Sequence, residues 1–207
     1  KQYTDEDFLS AYKQQCNDVC ACGKLRKCSS KVYIGCGEIE KIAERVHDYT
    51  AKKIYLVADK NTFSAAGERA SQLLQEANIE VTTYLFEDDH PIPDQINVGL
   101  SIMNLPKNCD AIVGVGSGVI NDICKIVAAT AKLPLICVAT APSMDGFASS
   151  TSSMEMNGLK ISLPSKAPDT IIGDLDILAA APEKMLSSGI GDMLAKYVSI
   201  CEWRIAN

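Results

Sequence analysis

"DAIVGVGSGVINDICKIVAATA", residues 110–131, decides how this chain folds. Residues 110–116 carry a near-continuous apolar run, the pattern of a strand covered on both faces. Gly114, Gly116 and Gly118 fall at the end of that run. From Ser117 the apolar spacing becomes that of a helix. A strand that empties through glycines into a helix is the repeating unit of a parallel α/β sheet.

The same alternation extends outward on both sides. "LPLICVAT" (133–140) reads as the next strand. Upstream, "PDQINVGLSIMN" (93–104) is a helix entered through a proline. "EVTTYLFE" (80–87) and "KKIYLVAD" (52–59) are strands, and "TFSAAGERASQLLQEAN" (62–78) is a helix capped by Asn61 or Thr62. "EIEKIAERVHDYT" (38–50) has helical spacing at Ile39, Ile42, Ala43 and Val46, and follows a short strand, "KVYIG" (31–35). "TDEDFLSAYKQQC" (4–16) reads as a helix, with Thr4 and Asp7 placed for a capping box. The predicted class is α/β, a doubly wound, mostly parallel nucleotide-binding sheet over residues 31–180, behind a cysteine-rich helical extension over residues 1–30.

After Thr140 the pattern changes. "ASSTSSMEMNGLKISLPS" (148–165) is polar and alternating around Asn157-Gly158, which predicts a β-hairpin on a type I′ turn. "DTIIGD" (169–174) is another strand, and "GIGDMLAKYVSICEWRIAN" (189–207) opens a helix. That helix reaches Asn207 without a glycine or proline stop. Residues 181–207 are therefore expected to begin a new C-terminal all-α layer of a longer protein.

Composition narrows the partners. The chain has 207 residues and is 47% hydrophobic, enough for a real core in one or two domains. Its formal net charge is −6, so the basic footprint of a nucleic-acid or anionic-membrane surface is missing. No apolar run approaches the roughly 18 residues of a spanning helix, and "KQYTDEDFLS" is not a signal peptide. A cytoplasmic protein without nucleic-acid or membrane partners is expected. Of nine cysteines, Cys109, Cys124, Cys137 and Cys201 fall in apolar patterns and read as buried small hydrophobes. Cys16, Cys20, Cys22, Cys28 and Cys36 crowd the N-terminal part. Four of these could ligate a structural metal, although the spacing matches no standard ribbon or finger. Plain reduced thiols are the alternative.

Three places carry chemistry. The glycine turn lets backbone approach a pyrophosphate, and the helix behind it offers free N–H groups to its charge. A tight strand-to-helix turn is the alternative there, and Asp122 with Lys125 would also fit a surface i,i+3 pair. Asp59, after a strand, suits a ribose diol but equally a helix N-cap. In "TAPSMDGFASS" (140–150), Thr140 and Ser143 can donate to phosphate oxygens, and Asp145 can hold a substrate hydroxyl; a solvated loop is the alternative. In "SSGIGDMLAKY" (187–197), Gly189 and Gly191 put Asp192 at a helix start with Lys196 at i+4. Asp192 reads either as a metal ligand or as an ion-paired first-turn carboxylate. His47 and His90 read as surface residues, not ligands.

"GVGSGVINDICK", "TAPSMDGFASS" and "SGIGDMLAKY", in this order and spacing, resemble the sn-glycerol-1-phosphate dehydrogenases. That family is grouped with 3-dehydroquinate synthase, glycerol dehydrogenase and the iron-dependent alcohol dehydrogenases. The resemblance covers roughly residues 31–207. It implies reduction of dihydroxyacetone phosphate by NADH or NADPH at a zinc or nickel ion, in an enzyme expected to be a homo-oligomer. By the same resemblance, Gly116, Ser117, Gly118, Val119, Ile120, Asn121 and Asp122 hold the cofactor pyrophosphate. Thr140, Ala141, Pro142, Ser143 and Ser149 also touch the cofactor, and Asp59 sits at the adenine ribose. Asp145 holds substrate, and Asp192 serves metal, substrate and catalysis. The family completes its metal site with two histidines of a C-terminal helical domain, so the site in this chain alone is expected to be incomplete. A related alcohol or glycerol dehydrogenase, a synthase-like enzyme and a non-catalytic nucleotide-binding module are the alternatives.

Overall fold

The computed structural model describes residues 29–88 and 90–206. The N-terminal helix over 4–16 and the cysteines at 16, 20, 22 and 28 lie outside the described residues. The strands are β1 (Lys31–Gly35), β2 (Lys53–Ala58), β3 (Glu80–Leu85), β4 (Ala111–Gly116), β5 (Leu135–Ala139), β6 (Thr151–Met156), β7 (Leu159–Pro164) and β8 (Thr170–Asp174). The helices are α1 (Ile42–His47), α2 (Glu68–Glu76), α3 (Gln95–Met103), α4 (Gly118–Ala131), α5 (Leu175–Ala179) and α6 (Glu183–Ala206). Six strands form one sheet in the order β1-β8-β5-β4-β2-β3, with every pairing parallel.

The apolar runs end where the sequence predicts, at the centre of the sheet. β4, β5 and β8 are buried throughout, whereas the edge strand β3 exposes Glu80, Thr82 and Thr83. Side chains alternate along β2. Ile54 and Leu56 join a core with Ile42 and Val46 of α1 and Leu74 of α2. Tyr55 and Val57 join a second core, with Ile120, Ile123 and Val127 of α4, on the opposite face. Helices on both faces of a parallel sheet make the fold doubly wound. The buried Tyr55 hydroxyl donates to Ser101 O at 2.9 Å, so its polar end is satisfied.

Outside that sheet, β6 and β7 pair antiparallel and close at Met156 and Leu159. Asn157 and Gly158 have φ of 52° and 75°, the two positive values a type I′ turn requires.

Local details depart from expectation. The helical run after β2 is capped by Asp59, not by Asn61 or Thr62. The Asp59 carboxylate accepts from Thr62 N at 2.8 Å, and Thr62 Oγ1 accepts from Asp59 N at 3.0 Å. The run starts at Lys60 and passes through a π turn at Phe63–Gly67 before α2. Cys124 and Cys137 are buried as expected, but Cys109 is half-buried and Cys201 is exposed on α6. Burial in an apolar pocket pushes the Cys137 thiol up to about 12, so it behaves as a small hydrophobe. Among the described residues no helix is long and apolar enough to cross a membrane.

The seam between β4 and α4 leaves no room for side chains. A Cβ on Gly116 would lie 2.6 Å from Ile120 Cβ, and one on Gly114 would lie 2.9 Å from Cys124 Sγ. Gly116→Ala is therefore expected to destabilise the chain by about 1–3 kcal/mol through overpacking. Gly191 lies inside α6, where an added methyl group would meet nothing within 4 Å. It should behave oppositely, Gly191→Ala adding about 0.5–1 kcal/mol. Urea unfolding of both variants checks the contrast; equal stabilities would show that the seam is not tight.

Candidate active site

The strand order places a crevice between β2 and β4. These strands are neighbours, yet the chain leaves β2 toward β3 and leaves β4 toward β5, in opposite directions. Ligands of open parallel sheets bind at the carboxyl ends of the strands flanking such a reversal. Asp59 follows β2 and Ser117 follows β4, so both stand at the lip. Ser117 is the N-cap of α4 but makes no side-chain capping bond, which leaves first-turn N–H groups facing outward without a protein partner from the cap. A cavity of about 770 Å³ opens there, lined by Asp59, Thr62, Ser117, Val119, Ile120, Thr140 and Ala141, among others. Its size is within the range of small-molecule and cofactor sites.

A second cavity of about 470 Å³ adjoins it, with Val119 in the wall of both. Gly118, Asp122, Ser143, Asp145, Ser149 and Asp192 line it together. Asp145 and Asp192 come from segments 47 residues apart, and Asp145 N donates to Asp192 Oδ2 at 2.9 Å. Lys196 Nζ lies 3.1 Å from Asp145 Oδ2 and 3.6 Å from Asp192 Oδ1. The Asp145 backbone N–H, helped by the Lys196 charge, holds the Asp192 carboxyl below the usual carboxylate range. The Asp145 carboxylate in turn pushes Lys196 up. One ammonium between two carboxylates leaves this end of the cavity net negative.

The contact depends on α6 lying against the loop after β5. Gly189 is the one buried residue of α6 among those described, and a Cβ there would overlap Pro142 O. Gly189 and Gly191 therefore do not start a helix at Asp192, as their spacing suggests. The helix begins at Glu183, and Asp192 lies within it. Glycine is used here for close approach, not for a turn.

Of the other predicted site residues, Gly116, Asn121 and Pro142 line neither cavity. Gly116 packs against Ile120, and Pro142 receives α6. Asn121 is buried and points its amide toward Phe147 O at 3.4 Å, holding the loop after β5. Ser149 turns back onto the hairpin, its hydroxyl 2.8 Å from Thr151 Oγ1. The Asp122–Lys125 pair is present at 2.8 Å but is not on the surface: the Lys125 side chain is 1% exposed. Its ammonium also donates to Thr151 O at 2.6 Å, tying α4 to the hairpin. Among the cavity residues that sequence reasoning missed are Lys125 as a buried group, and Ser153, Lys160 and Ser162 of the hairpin. The Asn-Gly turn would have found the last three, because it sets a register in which Ser153 faces Ser162. His47 and His90 are both exposed, and His90 borders the larger cavity.

Among the described residues no group of three or more His, Cys, Asp or Glu side chains could hold a metal ion. Asp192 and Asp145 offer carboxylates, but a catalytic ion takes about three protein ligands. The described residues alone do not make up a complete metal site.

Comparison with known proteins gives a consistent picture. The family described as iron-containing alcohol dehydrogenase matches residues 33–182. A glycerol-1-phosphate dehydrogenase [NAD(P)+] of Geobacillus thermodenitrificans is 35% identical over 159 residues, 75% of this chain and 39% of the relative. One from Methanosarcina mazei is 32% identical over 179 residues, 85% of this chain and 49% of the relative. The chain thus spans about half or less of the length of the curated relatives it matches. The crystal structure of glycerol dehydrogenase from Schizosaccharomyces pombe superposes with a TM-score of 0.72 at 24% identity, over 82% of this chain and 43% of that one. Sulfoacetaldehyde reductase from Bifidobacterium kashiwanohense, in complex with NAD+, superposes with a TM-score of 0.69 at 22% identity, over 80% of this chain and 50% of that one. At these identities the superpositions show the fold.

The docking of α6 gives a test. Gly189→Ala should push the helix off Pro142 and separate Asp192 from Asp145, with a smaller effect on the larger cavity, whose walls at α4 and after β2 lie outside α6. In the full-length protein, turnover should fall at least about tenfold with dinucleotide affinity nearly unchanged, whereas Gly191→Ala should turn over normally. Wild-type turnover in Gly189→Ala would show that the contact is dispensable.

Proposed function

The chain belongs to the iron-containing alcohol dehydrogenase family, and on that premise we propose that it is the nucleotide-binding portion of an NAD(P)-dependent dehydrogenase that reduces dihydroxyacetone phosphate to sn-glycerol 1-phosphate. Residues 31–180 are the dinucleotide domain, and residues 181–207 begin a helical domain. The enzyme is read as cytoplasmic and homo-oligomeric. The observation that carries the proposal is the meeting of the uncapped α4 N-terminus with Asp145 and Asp192 across adjoining cavities that share Val119.

The first-turn N–H groups of α4, with Thr140 and Ser143, hold the cofactor pyrophosphate. The free Asp59 oxygen accepts from the adenosine ribose while its other oxygen keeps the cap on Thr62. When bound, NADH or NADPH would supply the hydride for the ketone carbon of the substrate, with a proton from solvent completing the alcohol at its oxygen. Asp145 and Asp192 orient the substrate by accepting from its hydroxyl, and Lys196 keeps the two carboxylates from repelling each other. Asp192 is also the described residue suited to ligate a divalent ion, zinc or nickel by the resemblance, with the remaining ligands supplied from outside the described residues; no step is drawn through that ion. The relatives that carry the name glycerol-1-phosphate dehydrogenase [NAD(P)+] support the choice of substrate.

The full-length protein should oxidise NADH or NADPH on addition of dihydroxyacetone phosphate, followed by loss of the reduced nicotinamide absorbance; no oxidation with either cofactor would remove the proposal. Asp59→Asn preserves a capping side chain and removes the charge. It should weaken NADH by about tenfold and NADPH less, because the carboxylate both binds the diol and opposes a 2′-phosphate. Equal affinities in mutant and wild type would assign Asp59 to the cap alone.

A further inference from the structure

The 470 Å³ cavity has a second end that the proposed roles leave unused. Its wall there is the polar face of the β6–β7 hairpin. Because partners in this register share a face, Ser153 stands opposite Ser162, and Lys160 lies two residues before Ser162 on the same side. All three line the cavity. The other face of the hairpin carries the buried Ser152 and Met154. The hairpin is therefore half core and half cavity wall, which fixes which side chains look inward.

These cavity-facing groups are donors without side-chain partners among the described residues. Lys160 makes no ion pair there, even though Glu155 is its register partner. Neither the Ser153 nor the Ser162 hydroxyl has a side-chain hydrogen bond among the described residues. The other charges of the cavity are already matched: Asp122 pairs with the buried Lys125, and Asp145 with Asp192 shares Lys196. Lys160 is thus the one cavity-lining charge without an ion-pair partner among the described residues, opposite an α6 end that is net negative. Lys125, through Thr151 O, anchors the hairpin so that this donor set keeps its place.

We propose that Lys160, with the hydroxyls of Ser153 and Ser162, forms the subsite for the phosphate of a phosphorylated ketone substrate. This rests on the reaction proposed above and adds the feature that selects a phosphomonoester over an uncharged polyol or ketone. A substrate with a dianion at one end and a hydroxyl-bearing ketone at the other matches these two ends of the cavity. The phosphate would take the uncompensated ammonium and two neutral donors, and the hydroxyl end would reach the carboxylates. Hydrogen bonds from an ammonium to a phosphate are charge-assisted and stronger than neutral ones, and the exposed Lys160 and Ser162 are open to an incoming ligand.

The test uses the full-length protein and two ketones, dihydroxyacetone phosphate and dihydroxyacetone. Lys160→Met should lower the ratio of their kcat/KM values by roughly 10- to 100-fold, mainly through KM of the phosphorylated ketone. Lys160→Arg should recover most of that loss, and Ser153→Ala with Ser162→Ala should give a smaller loss in the same direction. Calorimetric titration with inorganic phosphate should show binding to wild type that weakens by a similar factor in Lys160→Met. The preference between NADPH and NADH should not move, which separates a substrate phosphate from a cofactor phosphate. Equal losses on both ketones, an altered cofactor preference, or phosphate binding unchanged in Lys160→Met would each overturn the subsite. Phosphate binding that depends on Lys160, without turnover of dihydroxyacetone phosphate, would support the subsite and remove the reaction. Turnover indifferent to Lys160 would do the reverse.

Discussion

Everything in the candidate site hangs on how closely α4 lies against β4. Glycine at 114 and 116 lets the helix settle where any larger residue would meet Cys124 or Ile120. Interiors are packed so densely that a single methyl group is felt. Once the helix is seated, its N-terminus opens at the carboxyl end of the sheet, beside the reversal of strand order between β2 and β4. The backbone donors of its first turn then face a cavity instead of the core. The geometry follows from a packing constraint inside the protein, and the anion-binding character comes with it.

A second consequence runs down the same helix. Lys125 lies two turns below the N-terminus and is buried, which would be costly for an unpaired ammonium. Asp122 supplies the countercharge and Thr151 O a further acceptor. Removing either partner of such a buried pair exposes the full cost of the other. The pair therefore fastens the hairpin to the sheet at a fixed height. The loop after β5 is held from the other side by Asn121 and by the contact between Pro142 and Gly189. Three separately built pieces, α4, the hairpin and α6, meet around one small cavity.

Much of this was legible in the residues. The central strands announced themselves as unbroken apolar runs, because parallel strands with helices on both sides have no wet face. Asn157-Gly158 announced its turn, since few other pairs accept two positive φ values. Asp145 and Asp192 stand out separately in the sequence, and the fold brings them together. What was misread involved tertiary context. Gly189 and Gly191 look like a helix boundary, but helix α6 runs through them, and the missing side chain at 189 serves a contact with Pro142, far back in the chain. Lys125 looks like half of a surface pair, because spacing along a helix does not say which side another element will cover. Cys201 looks buried from its apolar neighbours, yet Tyr197, Val198 and Ile200 around it are exposed as well. Asp59 takes the N-cap reading and also lines the larger cavity.

The central claim is that the α4 N-terminus is the cradle of the cofactor pyrophosphate. A crystal structure of the full-length protein with NADH or NADPH tests it most directly. The account predicts pyrophosphate oxygens within about 3 Å of backbone N–H groups in the first turn of α4, with the adenine ribose toward Asp59 and the nicotinamide toward the cavity of Asp145 and Asp192. A dinucleotide lying elsewhere, or crossing the crevice with its nicotinamide at Asp59, would contradict it.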